Sequence, residues 1–207
     1  MNFILNVKVL TDMYFNIFTG LVNFEGEPSE FVQETVEKCL ERFEKDKLIG
    51  QIPSDIVIPE FYEGSFLTKR YSTKPQLTDV TSQDLHGECF EESDFLRMIL
   101  EYYDGIMTQV VKSNYISPYK GEIFKHFFLS VVIASNEIII EPTLGQFLTN
   151  YKGIFVGTRE DLRRLFILTL KDNPTLFSSR WSYDRELVLE TPSKMFEVIW
   201  GTRSIEV

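Results

Sequence analysis

The chain has 207 residues, of which 43% are hydrophobic and 25% charged, enough for one sizeable core or one core with a small attached subdomain. A net charge of −10 and an isoelectric point of about 4.8 set its surface against phosphate backbones, which speaks against general nucleic-acid binding. Two cysteines, Cys39 and Cys89, and two histidines, His86 and His126, fall in no zinc-ligand spacing, so neither a metal centre nor a cofactor is expected.

The first 24 residues are rich in Phe, Ile, Leu and Val without a clean period. Asn2, Asn6, Lys8 and Asp12 break them up before a signal-peptide core forms, and no apolar run reaches the ~20 residues of a membrane span. A cytoplasmic setting, or export without a cleaved signal, is the expectation, with no membrane partner. Pro28 and Ser29 announce a helix, in which Val32, Val36, Cys39, Leu40 and Phe43 make an apolar stripe. Cys39 belongs to that stripe as a small buried hydrophobe. Residues 50–82 carry Gly50, Pro53, Pro59, Gly64 and Pro75 and read as an irregular connection, with one short strand at 55–58.

After Cys89, the residues Phe95, Ile99, Leu100, Tyr103, Ile106, Met107 and Val110 predict a helix bent near Asp104 and Gly105. β-branched and aromatic runs at 127–133 and 137–141, joined by 134–136, predict a β-hairpin, and residues 153–157 a third strand. Thr158 then caps a helix with acids in its first turn. The last 40 or so residues, with Trp181 and Trp200, read as folded but give no placement. Residues 1–80 are expected to pack as an N-terminal helical and irregular segment on a core formed by 81–207. An alternative makes them a partner-binding or inhibitory segment over the site.

The candidate chemistry starts at QDLHGECF, residues 83–90, which runs straight into a helix. A thiol at a helix N-terminus feels the positive end of the dipole, which favours the thiolate; Glu88, Glu91, Glu92 and Asp94 around it act in the opposite sense. That acidic group is also suited to select a basic substrate segment. Gly87 permits a tight approach to the helix, and Gln83 is placed to offer an amide beside the Cys89 N–H as an oxyanion donor. His126 opens the first hairpin strand and Glu141 closes the second, so both lie toward one end of the hairpin. A turn centred on 135–136 would set Glu141 near Ser130, whereas a loop over 133–136 would set it opposite Phe128, two residues from His126 and on its face. His86, on the same loop as Cys89, is a competing base but reads better as exposed or substrate-facing. Arg159, Arg163 and Arg164 either face solvent or meet an acidic substrate group.

Gln83, Gly87 and the Cys89-Phe90 pair together resemble the nucleophile segment of papain-like cysteine peptidases. EPTLGQF, residues 141–147, resembles the Asp-Pro-Thr-x-x-Gln-Phe segment of transglutaminase-like and bacterial toxin-type members of that superfamily, which include protein-glutamine deamidases and transglutaminase-like cysteine peptidases. The resemblance covers residues 83–160 at most. It departs in having Glu141 where Asp or Asn is usual, and in a Cys-to-His interval far below the ~130–150 residues of papain-type enzymes. It implies an α+β fold with a papain-like/transglutaminase-like core, the nucleophile helix packed on a small antiparallel sheet. It also implies a Cys89–His126–Glu141 triad, with Gln146 lining the site or bracing the loop after Glu141. The expected activity is thiol-dependent amide hydrolysis on a protein or peptide, as a cysteine peptidase or protein-glutamine deamidase, with cross-linking third. A catalytically inactive papain-like binding module is the alternative.

Overall fold

The computed structural model describes residues 26–54, 56, 58, 89–116, 123–133, 135–177, 192–201 and 203–205. They form a mixed α+β structure with four α-helices and one antiparallel five-stranded sheet. In chain order the elements are α1 (Pro28–Leu48), α2 (Cys89–Asp104), β1 (Gln109–Ile116), β2 (Ile123–Ile133), β3 (Asn136–Glu141), β4 (Phe155–Thr158), α3 (Arg159–Asp172), α4 (Pro192–Trp200) and β5 (Arg203–Ile205). The strands lie in the order β4-β3-β2-β1-β5.

Side chains alternate along each strand, and both faces of this sheet are apolar. Val110, Leu129, Val131, Ile138 and Ile140 join Val32, Val36, Leu40 and Phe43 of α1 and Phe95, Leu96, Ile99 and Leu100 of α2 in one buried cluster. Val111, Phe128 and Ile139 on the opposite face join Leu162, Phe166 and Leu170 of α3 and Met195, Phe196, Ile199 and Trp200 of α4 in a second. The sheet is therefore the middle of three layers. Each fully buried Leu, Ile or Phe contributes roughly 1.5–3 kcal/mol, and the Phe43 and Phe95 rings lock α1 to α2 edge-on at 5.4 Å.

Helix α1 begins where expected, with Pro28 at its first turn and a reciprocal cap between Glu27 and Glu30. Thr158 caps α3 through Asp161 in the same way. The predicted bend after Cys89 is instead a termination. α2 stops at Asp104, Gly105 takes φ 66°, and Val110 lies in β1, a strand absent from the sequence reading. Glycine adopts that left-handed conformation without a Cβ penalty, and the residues beyond it, Val110 and Val111 among them, favour the pleated sheet. The sheet thus has two strands more than the three expected, with β1 and β5 on the far side of β2.

The hairpin register is equally specific. Ile133 pairs with Asn136, which leaves a two-residue loop with Ser135 at φ 67°, the left-handed backbone such loops require. Leu129 pairs with Ile140. One step further along this register, Glu141 faces Phe128, the second of the two registers considered. The short strand at 55–58 and the apolar stretch at 3–24 lie wholly or partly outside the described residues, as does Trp181. No helix among the described residues is long and apolar enough to cross a membrane.

Leu96 has no exposed surface, whereas Leu168 is half exposed on α3. Leu96→Ala is expected to cost about 3 kcal/mol and Leu168→Ala less than about 0.5 kcal/mol in urea unfolding; equal costs would contradict the layer assignment.

Candidate active site

β2 is covered unequally along its two edges. Toward β1 it is paired from Ile123 to Ser130, Ile116↔Ile123 through Gln109↔Ser130. Toward β3, pairing begins only at Leu129. Lys125 and Phe127 are two residues apart, so their carbonyls point to the same edge of the strand. The first turn of α2 meets both of them. The Cys89 thiol donates to the Lys125 carbonyl at 3.9 Å, and the Ser93 hydroxyl, one helical turn later, donates to the Phe127 carbonyl at 3.2 Å. This docking brings the thiol and the N-terminus of α2 beside His126.

His126 shares a sheet face with Ser113, its partner on β1. On β3 that face holds Glu141, displaced two residues from His126 along the strand direction. Diagonal neighbours lie ~7–8 Å apart, within reach of a long side chain. The extra methylene of glutamate, compared with aspartate, spans the offset, and Glu141 Oε2 sits 2.6 Å from His126 Nε2.

Glu141 is completely buried, yet its four lone-pair sites are filled. Oε2 accepts from His126 and from the Trp200 indole N–H at 3.2 Å. Oε1 accepts from the Thr143 backbone N–H at 3.0 Å and from the Thr143 hydroxyl at 2.9 Å. Such saturation lets a carboxylate stay ionised without water. The Ser113 hydroxyl on the same face is bonded to the Ile199 carbonyl, which ties β1 to α4 beneath the site.

His126 lies among aromatic rings, edge-on to Phe147 at 4.9 Å and to Trp200 at 5.9 Å, with Phe128 tilted at 5.9 Å. Burial alone would pull its pKa down. The neighbouring Glu141 carboxylate and the Cys89 side chain outweigh that, and raise it from 6.5 to about 9. Cys39, by contrast, sits in the α1 core with its thiol pushed up to about 12, chiefly by burial and further by Asp104.

Gln146 is in the site, in a short 3-10 turn after β3. Its amide nitrogen donates to the Thr143 hydroxyl at 2.9 Å and faces His126 Nδ1 at 3.1 Å. It thus braces the Glu141 loop and also meets the imidazole. Gln83, His86, Gly87 and Glu88 lie outside the described residues. The acids expected to select a basic substrate segment are divided: Glu92 is fully buried, Asp94 pairs with Arg97 at 2.7 Å, and Glu91 is exposed. Arg159 pairs with Glu197 at 2.8 Å, Arg163 lies 3.7 Å from Glu160 and Arg164 3.5 Å from Asp161, so all three already face acids on the chain's own helices.

Thr143 and Trp200 are contributors that the sequence reading missed. Thr143 had a local signal, a hydroxyl two residues after the acid, positioned to close a turn onto it. Trp200 had none, because it reaches Glu141 across 59 residues. Comparison with known proteins returns no matching family model, no matching curated protein and no matching solved structure.

Glu141→Gln removes the charge that raises His126, so the ring should titrate below its wild-type midpoint when followed by NMR. A raised histidine contributes stability that is complete below pH 6.5 and is lost as pH rises through about 9. Urea midpoints should therefore fall across that window in the wild type and change less in Glu141→Gln. An unchanged His126 midpoint in the variant would show that Glu141 does not govern the ring.

Proposed function

We propose that the chain is a thiol-dependent amide hydrolase with a papain-like core, acting on a protein or peptide through Cys89, His126 and Glu141. The observation that carries this reading is the buried 2.6 Å contact between His126 and a fully saturated Glu141, with a helix N-terminal thiol docked beside the ring. A carboxylate holding one imidazole nitrogen fixes the tautomer, and stabilises the imidazolium that forms when the ring takes the thiol proton. An ion pair buried only for stability would be a costly choice at such a place.

In this reading the Cys89 thiolate adds to a carboxamide or peptide carbonyl carbon, forming a C–S bond. His126, carrying the thiol proton, gives it to the departing nitrogen as the C–N bond breaks, which leaves a thioester. His126 then takes a proton from water as its oxygen adds to the thioester. The C–S bond breaks, the acid is released, and the proton returns to sulfur. Glu141 stays ionised throughout. Cleavage of a main-chain amide makes this a peptidase and attack on a glutamine side chain makes it a deamidase. Transfer to an amine instead of water gives cross-linking, the third option. Deamidation adds about one dalton and leaves the substrate whole, whereas proteolysis divides it.

One observation favours the binding-module reading. Cys89 is 5% and His126 3% exposed, so the thiol is enclosed as the structure stands. Hydrolysis requires that a substrate reach it; a partner-binding domain has no such requirement.

Cys89→Ala should reduce turnover of a peptide or glutamine substrate by more than about a thousand-fold, with an unchanged melting temperature. Undiminished turnover in the variant sinks the proposal, and a wild type that turns over neither substrate class in a broad mass-spectrometric screen favours the binding module.

A further inference from the structure

Two demands meet at one atom, His126 Nδ1. Nε2 is held by Glu141 at 2.6 Å, so Nδ1 is the nitrogen left for the thiol. A thiolate–imidazolium pair needs a proton on Nδ1, pointing at sulfur. Yet the Gln146 amide nitrogen lies 3.1 Å from Nδ1, and a donor facing that nitrogen requires it to be unprotonated.

The orientation of the amide is set by the rest of the network. The Thr143 hydroxyl has one proton, and Glu141, as a carboxylate, can only accept, so that proton goes to Glu141 Oε1 at 2.9 Å. The same hydroxyl oxygen must then accept from Gln146, which turns the NH₂ end of the amide toward both Thr143 and His126. Reversing the amide would offer Nδ1–H an acceptor. It would also set two oxygens, Gln146 Oε1 and Thr143 Oγ1, against each other with one proton to serve both Gln146 and Glu141. The thiol agrees with this arrangement, because its hydrogen bond runs to the Lys125 carbonyl. The thiol also meets the ring, since the Cys89 side chain is among the groups that raise His126.

We propose that Gln146 is a positioning residue whose amide donor competes with a proton on His126 Nδ1, so that the thiolate–imidazolium form is held back while the amide faces the ring and gains when it turns away. This rests on the thiol-hydrolase reading of the site and adds regulation to it. The pair shares one proton, which lies on sulfur or on nitrogen. Glu141 draws it to the ring, and the Gln146 donor opposes it at Nδ1. Thr143 links the two, since it bonds both side chains, so a substrate group that accepts the Gln146 N–H would release the ring and activate the thiol together.

The test is alkylation of Cys89 by iodoacetamide at neutral pH, with Cys39 as internal control, in wild type, Gln146→Met and Gln146→Ala. NMR titration of His126 is followed in the same proteins. Removal of the competing donor should speed labelling by about ten-fold, the effect of one hydrogen bond, and should raise the His126 midpoint. Labelling that is unchanged or slower in folded variants of both kinds overturns the proposal, because a bracing role alone would slow it or leave it alone. A His126→Ala control separates the two ideas. If Cys89 labelling is indifferent to His126 in every background, the thiol-hydrolase reading itself fails. If labelling depends on His126 but not on Gln146, only the positioning role fails.

Discussion

A carboxylate with no exposed surface is tolerable only if every lone pair is met, and the arrangement around Glu141 follows from that demand. Four donors from three elements converge on it: the β2 imidazole, two groups of Thr143 on the loop after β3, and the indole of α4. Leaving any one of them out would strand an oxygen in an apolar cluster, at a cost of about 1–3 kcal/mol or more for a charged acceptor. The carboxylate therefore fixes the register of the hairpin, the turn after it and the docking of α4 together. The low dielectric that makes an unpaired charge costly also makes the paired one influential, and the ring of His126 feels it at close range.

The thiol reaches the ring by a different route. β3 is short, and the strand beside it is left bare over residues that include Lys125 and Phe127. Bare strand edges demand donors, and α2 brings two of them, Cys89 and Ser93, to successive carbonyls on that edge. Helix docking and thiol placement are thus one event. A longer β3 would have covered the edge and kept the helix away.

How much of this was legible in the sequence can be judged residue by residue. α1, α3 and the hairpin were readable because their signals are local: Pro28 and Ser29 before an apolar stripe, a threonine cap with acids after it, and β-branched runs around a short loop. The order Cys89, His126, Glu141 was readable for the same reason, as were Cys89 at a helix start and Glu141 at a strand end. His126, by contrast, lies within β2, which begins at Ile123 and not at the ring. β1 was missed because Val110 continued an apolar helical period, and only Gly105 marked the break. The register remained open, since a one-residue change in the loop moves Glu141 relative to His126 and sequence alone did not fix Ser135 in the left-handed region. Trp200, and the engagement of Gln146 with Nδ1, depend on contacts across 59 and 20 residues, for which no short window carries a signal.

Those long separations also have a consequence in time. Glu141 gains its fourth donor from Trp200, and Ser113 is tied to Ile199 in the same helix. During synthesis the thiol, the ring and the acid emerge well before that helix does, so the carboxylate is short of a donor until residue 200 has been made and docked. Loop closure over such a span is slow compared with local helix and hairpin formation. The site is therefore completed only once α4 has docked, well after its thiol, ring and acid have been made.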